Sequence, residues 1–199
     1  MKNSIEIFPT KIYKVNLSLN TDKIYQCIRQ LEVEYEQSAK NTNHNIMINS
    51  LTYGNAIDTI HTMPAMSELV VKANKHGQKF WNELGYMPSA FTPINKMWFN
   101  IYKKNSFVGI HNQSPVWIVG VYYLSKTDEA SNLHILNPNE MLLKTQPYPH
   151  EGYNEYGYFE EEVPVTSGDL VLFPGYLKHR TSPVSDDSER ISIAFNFRR

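Results

Sequence analysis

Residues 98–124, WFNIYKKNSFVGIHNQSPVWIVGVYYL, decide the fold. From 98 to 103 the side chains alternate, Trp98, Asn100 and Tyr102 toward one face and Phe99 and Ile101 toward the other, which is the two-residue period of a strand with unlike faces. Residues 116–124, VWIVGVYYL, are nearly all apolar or aromatic, as in a strand covered on both sides. A polar turn joins the two and carries His111 at its centre. That places an imidazole at the lip of a sheet, with its ring free to point into whatever the sheet encloses.

Toward the C-terminus the pattern continues. Residues 159–165 read as a strand, Ser167, Gly168 and Asp169 as a turn, and 170–173 as a short buried strand ended by Pro174 and Gly175, with His179 in the loop that follows. The stretch RISIAFNFRR then alternates, with Ile191, Ile193, Phe195 and Phe197 facing one way and Arg190, Ser192 and Asn196 the other. The first side is core. The second presents a cation and two hydrogen-bonding groups in an apolar neighbourhood, which suits a cavity for an anion. Residues 133–136 form a further strand. The segment 137–157, with Pro138, Pro147, Pro149, Gly152 and Gly157, is expected to be irregular. Its surroundings hold Tyr148, Tyr153, Tyr156 and Tyr158, which either close over a site or glue a surface loop down.

Toward the N-terminus, residues 5–15 are strand-like but interrupted at Pro9, an edge signature. A helix follows over 21–38. Asn20 or Thr21 caps it, Asp22 favours its first turn, and Ile24, Cys27, Ile28, Leu31 and Tyr35 recur at helical spacing. The Asn-rich run 41–49 is a loop. A second helix over 64–84 starts near Pro64, shows one apolar stripe through Met66, Leu69, Val70, Ala73, Phe80, Trp81 and Leu84, and ends at Gly85, with Gly77 weakening its middle. Everything from Ile94 onward reads as strand, turn and loop. Two amphipathic helices ahead of a run of short strands predict an α+β, mainly β domain, with the helices packed on the outer face of one sheet of an antiparallel sandwich.

Composition narrows the function classes. The 199 residues, 41% hydrophobic, suffice for one well-filled core, so residues 1–199 are expected to form a single domain. With a net charge of -1 and unclustered basic residues, the chain has no face for nucleic acid. No apolar run approaches the roughly 20 residues of a membrane span, and MKNSIEIF lacks a signal peptide's apolar core, so a cytoplasmic protein is expected. The single Cys27 excludes a disulfide framework within the chain and reads as a small buried hydrophobe.

The chemistry-bearing residues are therefore His111, His179 and an arginine at the start of the last strand, Arg190, eleven positions after His179. Two neutral imidazoles plus one oxygen donor on a rigid β scaffold can hold a divalent iron on three adjacent corners of an octahedron. Arginine suits a carboxylate because its planar fork donates two parallel hydrogen bonds.

The blocks GIHNQSPVWIVGVYYL, GDLVLFPGYLKHRTSPV and ERISIAFNF resemble those of the iron(II)- and 2-oxoglutarate-dependent oxygenases, in particular the small oxygenases of this kind from phages and bacteria. WFNIYKKN and IFPTKIY resemble the strand before the histidine turn and the opening of that group. The resemblance implies a double-stranded β-helix, the cupin-like jelly roll, with iron(II) as cofactor and 2-oxoglutarate as cosubstrate. It implies His111 and His179 as iron ligands with position 113 as the third, and Arg190 with Ser192 as the grip on the distal carboxylate of 2-oxoglutarate. Asn100 and Tyr102 would face the same pocket, with Trp98, Tyr123 and Asn196 as candidates for the substrate's share of it. The implied activity is hydroxylation of a substrate that the sequence does not encode legibly.

One position departs from the group. Where the common arrangement is His-x-Asp or His-x-Glu, and the small group often has His-x-His, this chain has His111, Asn112 and Gln113. A glutamine offers only a neutral amide oxygen. Asp128 and Glu129 lie beyond the next strand and read as a solvated turn. Two further readings stand beside the oxygenase: a degenerate jelly roll that serves as a binding or structural component, for instance in a phage particle, and a cupin-like binder of a sugar or small acid, which leaves Arg190 and Ser192 unexplained.

Overall fold

The structure is a computed structural model and describes residues 8–39, 50–52, 58–127, 132–139, 141, 145, 159–185 and 187–197. The Asn-rich run 41–49, the start of the first predicted strand, Asp128, Glu129, the side chain of Tyr35 and the four loop tyrosines Tyr148, Tyr153, Tyr156 and Tyr158 lie outside the described residues.

Helix α1 spans Asp22–Ala39 and α2 spans Ser67–Glu83. Asn20 sets up the start of α1, its Oδ1 accepting from the Asp22 N–H at 3.1 Å. Ile24, Ile28 and Leu31 are buried on one face, and Cys27 is half-buried, its thiol pushed up by that burial. The α2 entry differs from the expectation of a helix from Pro64. Two 3-10 turns, Ile60–Thr62 and Pro64–Met66, come first, and the α-helix begins only at Ser67. Proline has no N–H to give and tolerates such an opening turn. Past the far end Gly85 takes a φ of 78°, the left-handed conformation in which a glycine carries no penalty.

Gly77 has a packing reason that sequence alone hides. A Cβ there would stand 2.4 Å from Cζ of Phe197, so the missing side chain is the slot that lets α2 lie on the sheet.

Nine strands among the described residues form two antiparallel sheets. They are β1 (Tyr13–Asn16), β2 (Ser50–Thr52), β3 (Ile94–Tyr102), β4 (Ile118–Ser125), β5 (Leu133–Leu136), β6 (Glu160–Val163), β7 (Asp169–Pro174), β8 (His179–Thr181) and β9 (Arg190–Phe197). The larger sheet has the order β1-β7-β4-β9-β3-β2 and the smaller β6-β5-β8. Strand β1 is at an edge, and Pro9 lies before it rather than inside it. Three other expectations change. His179 sits on strand β8 and not in a loop. Strand β2 has no counterpart in the sequence reading. Met141 and Thr145 carry helical backbone inside the region read as strand, turn and loop.

The two faces of the larger sheet serve different purposes. On its outer face Phe99, Ile101, Ile191, Ile193, Phe195 and Phe197 pack in one cluster with Ile24, Ile28, Leu69, Ala73, Phe80 and Trp81 of the two helices, as the alternation predicts. Between the sheets a second cluster, among it Val119, Leu133, Ile135, Val171 and Phe173, glues the layers together. The rest of the inner face sets polar side chains, Asn100, Arg190, Ser192 and Asn196, among Trp98, Val121 and Ala194. This arrangement is the double-stranded β-helix with two helices laid against the outside of one sheet.

Candidate metal and cosubstrate site

The polar inner face follows from register. Strand β9 stands between β3 and β4, and its pairings place Tyr102 opposite Arg190, Asn100 opposite Ser192, Trp98 opposite Ala194 and Lys96 opposite Asn196. From the other side Tyr123 stands opposite Ser192 and Val121 opposite Ala194. Because partners directly opposite share a face, these side chains converge on the space between the sheets. Arg190 is only 1% exposed, and its guanidinium carbon lies 3.8 Å from the centre of the Tyr102 ring, stacked on the aromatic face. Burial pushes the Tyr123 hydroxyl up, against the opposing influence of Arg190, so it stays a neutral donor.

The histidines meet across a backbone bridge. The His111 N–H donates to the His179 carbonyl at 3.0 Å and the His179 N–H to the His111 carbonyl at 2.8 Å. Their rings are 4.2 Å apart, centre to centre. Each Nδ1 faces the backbone carbonyl two residues earlier, Gly109 for His111 and Leu177 for His179, both at 2.9 Å. A carbonyl only accepts, so each Nδ1 carries the hydrogen and each Nε2 is left with a lone pair, as metal-binding histidines are oriented. His179 is buried, and burial first, then the neighbouring His111, pushes its pKa down to about 4, so it is neutral at ordinary pH.

Gln113 is held beside them by its backbone, which donates to the Gly175 carbonyl at 3.0 Å. Gly175 is there because nothing larger fits: a Cβ would meet the Val116 carbonyl oxygen at 2.1 Å. The Gln113 Oε1 is buried and has no hydrogen-bond partner among the described residues. A buried amide oxygen without a donor is costly and suits a cation. Two imidazole lone pairs and this orphaned oxygen therefore fit a divalent metal, as a neutral donor set. Among the described residues no group of three or more His, Cys, Asp and Glu side chains is placed to hold one, so no described carboxylate completes the set.

All ten candidate residues, His111, Gln113, His179, Arg190, Ser192, Asn100, Tyr102, Trp98, Tyr123 and Asn196, line one cavity of about 420 Å³. Its wall also includes Asp58, Lys96, Val108 and Thr181, which the sequence reading passed over. Lys96 was within reach, one more step of the 102, 100, 98 alternation. Asp58 had no signal, since it reaches the cavity from the turn before α2 and pairs with Lys96 at 2.5 Å.

The comparisons bear on the family and the fold. A family model described as "Putative 2OG-Fe(II) oxygenase" matches residues 96–196, which holds all the cavity residues named here except Asp58. No curated protein matches the sequence. Among solved structures, a prolyl-4-hydroxylase from Pseudomonas putida shares 16% identity over 96% of this chain and 93% of its own, at a TM-score of 0.63. HygX from Streptomyces hygroscopicus, solved with nickel and 2-oxoglutarate bound, shares 14% over 95% and 83%, at 0.61. The non-heme alpha-ketoglutarate-dependent carbocyclase SnoK from nogalamycin biosynthesis shares 12% over 95% and 79%, at 0.62. At these identities the likeness is one of fold. No described helix is long and apolar enough to cross a membrane.

Proposed function

We propose a residue-level reading for this chain, which belongs to the 2OG-Fe(II) oxygenase family and whose cofactors are accordingly iron(II) and 2-oxoglutarate: His111, His179 and Gln113 hold the metal, and Arg190 with Ser192 holds the cosubstrate. When bound, the metal supplies the activation of dioxygen, with 2-oxoglutarate leaving as succinate and carbon dioxide and the second oxygen atom entering a C–H bond of the substrate as a hydroxyl.

The chain's own residues prepare that chemistry. The Nε2 atoms of His111 and His179 are aimed by their Nδ1 bonds to backbone carbonyls, so the donors are oriented before any metal arrives. Arg190 offers its fork to the distal carboxylate of 2-oxoglutarate from a position already shielded from water, where a bidentate pair is strongest. Tyr102 beneath the guanidinium keeps its plane fixed, and Ser192, 2% exposed, adds a hydroxyl on the same face. Asn100 stands beside Ser192 across the strand pair and lines the same wall. The observation that supports this reading above the rest is the strand register that brings Arg190 and Ser192 into the cavity of the histidine pair.

A second reading is favoured by one observation, the amide at position 113 in place of a carboxylate: a jelly roll that has kept its shell and serves as a binding or structural component. The two part on a single substitution. A carboxylate about 4 Å from a cation gains roughly 4 kcal/mol at an effective dielectric of about 20, or about a thousandfold in affinity, and Gln113 forgoes that gain. The oxygenase reading therefore expects weak iron binding in the wild type. Gln113→Asp is expected to raise iron retained on anaerobic purification at least tenfold, measured by metal analysis, with succinate formed from 2-oxoglutarate rising alongside it. If Gln113→Asp retains no more iron than the wild type and neither turns over, the two histidines do not share a metal and the structural reading takes its place.

A further inference from the structure

The cavity extends past the histidines to an end that the proposed cosubstrate and metal residues leave unused. Register sets the order along its wall, from Arg190 and Tyr102 through Ser192 and Asn100, then Ala194 and Trp98, to Asn196 and Lys96. Backbone bonds set where the histidines stand on that axis. On one side of the His111–His179 bridge Thr181 bonds to Val108, which clusters with Tyr102. On the other side Gln113 bonds to Gly175 and Gly175 to Trp117, the residue before Ile118, which pairs with Phe197. The histidines therefore lie between the anion grip at Arg190 and the group at Asn196. A molecule seated at the Asn196 end and reaching inward arrives at them from the side opposite 2-oxoglutarate.

Three side chains define that end. Asn196 is 8% exposed, and its Oδ1 is buried with no hydrogen-bond partner among the described residues. Leaving a buried acceptor unmet is costly, and a donating ligand removes that cost. Lys96 and Asp58 form an ion pair at 2.5 Å with side chains 46% and 35% exposed. A pair this exposed to water contributes little to stability, so a ligand can part it. Lys96, by hydrogen bond and charge, holds the Asp58 carboxyl below its usual range, so it is an anion at neutral pH. A single charge pushed into that pair would satisfy one partner and strand the other. A molecule carrying both signs keeps every charge beside an opposite one.

We propose that Asp58, Lys96 and Asn196 bind the head of a small zwitterionic substrate of the amino-acid type. Its ammonium donates to Asn196 Oδ1 and the Asp58 carboxylate, and its carboxylate accepts from Lys96. Its remaining part lies along Trp98 toward the histidine pair, where the hydroxyl is introduced. This deepens the oxygenase reading and rests on it for the reacting end of the molecule. Size agrees, because a cavity of about 420 Å³ is toward the small end of ligand sites, roughly 300–1,000 Å³, and here must take 2-oxoglutarate as well.

Binding is the test, by calorimetry on anaerobic wild-type protein supplied with iron(II) and 2-oxoglutarate. Three mixtures are compared: the standard L-amino acids, their N-acetyl derivatives and their carboxamides. At least one free amino acid is expected to bind, with its N-acetyl and carboxamide forms weaker by about tenfold or more, since each loses a charged hydrogen bond. Asn196→Leu and Lys96→Met are expected to weaken the free amino acid by a similar factor, and Asn196→Asp to keep it. The proposal is overturned if no free amino acid binds, if blocked forms bind as well as free ones, or if both variants match the wild type. The blocked derivatives test the wild type directly, so a variant that fails to fold leaves the comparison standing. 2-Oxoglutarate titrated into the same protein separates the two claims: its failure to bind overturns the oxygenase reading, whereas its binding without any amino acid overturns only this subsite.

Discussion

Phe195 and Asn196 are neighbours on β9 and both are shut away from water, at 0% and 8% exposure, yet they are buried for opposite reasons. Phe195 points outward into the cluster formed with α1 and α2, where its ring is satisfied by dispersion and by leaving water. Asn196 points inward to a cavity wall where its Oδ1 has no partner among the described residues. The same division runs the length of β3 and β9. The outward positions of these two strands are apolar and filled by the helices, whereas the inward positions carry the polar groups that line the cavity. Burial by itself does not separate core from site; the question is whether each buried group has what it needs.

That division predicts which measurement each substitution disturbs. Phe195→Ala is expected to lower stability by about 3–5 kcal/mol in denaturant unfolding, through lost burial and the cavity left behind. A loss under about 1 kcal/mol would put that face on the surface and dissolve the comparison. Arg190→Ala moves the other observable. It is expected to weaken 2-oxoglutarate by about 2–5 kcal/mol in calorimetry, leaving a buried carboxylate without its charged partner, and Arg190→Lys to recover only part because a point charge replaces a fork. Equal affinity in wild type and Arg190→Ala would remove Arg190 from the site.

On the core side again, Gly77→Ala sharpens the contrast by its sign. In an exposed helix that change gains about 1 kcal/mol, but against the buried ring of Phe197 it is expected to cost about 1–3 kcal/mol of stability through overpacking. A more stable variant would mean that the ring yields and the helix is less tightly seated than the geometry states. The smallest effect belongs to the cavity face. Ser192→Ala is expected to cost 2-oxoglutarate about 0.5–1.5 kcal/mol, one neutral hydrogen bond, with the unfolding midpoint nearly unmoved. A large loss of stability instead would make Ser192 a structural residue.

Legibility in the sequence followed the length of each pattern. Strand β9 alternates over eight residues, long enough for Arg190, Ser192 and Asn196 to declare a common face apart from Ile191, Ile193, Phe195 and Phe197. Strand β8 has three residues and shows no period, so His179 looked like a loop residue; what makes it a strand is its antiparallel pairing with β5, which sets Ile135 opposite His179, a contact that sequence does not carry. Gly77 read as a weak point because its reason, Phe197, is on another element. Asp58 was invisible for the same kind of cause: its role depends on Lys96 across a fold that no local pattern announces. Position 113 was legible as a departure from the family pattern, while the burial and isolation of its oxygen needed coordinates.

The place of β9 between β3 and β4 has a consequence for how the molecule comes together. Tyr102 pairs with Arg190 and Tyr13 with Leu172, so the larger sheet is closed by residues far apart in the chain, and such topologies reach the native state slowly because loops must close before their contacts reward them. On a ribosome, β3 and β4 are made long before residues 190–197 arrive to sit between them. During that interval two apolar strands present open edges, the kind of surface that pairs with other chains. Refolding yield is therefore expected to fall steeply with protein concentration, and the shield against that loss is the timely arrival of one eight-residue strand.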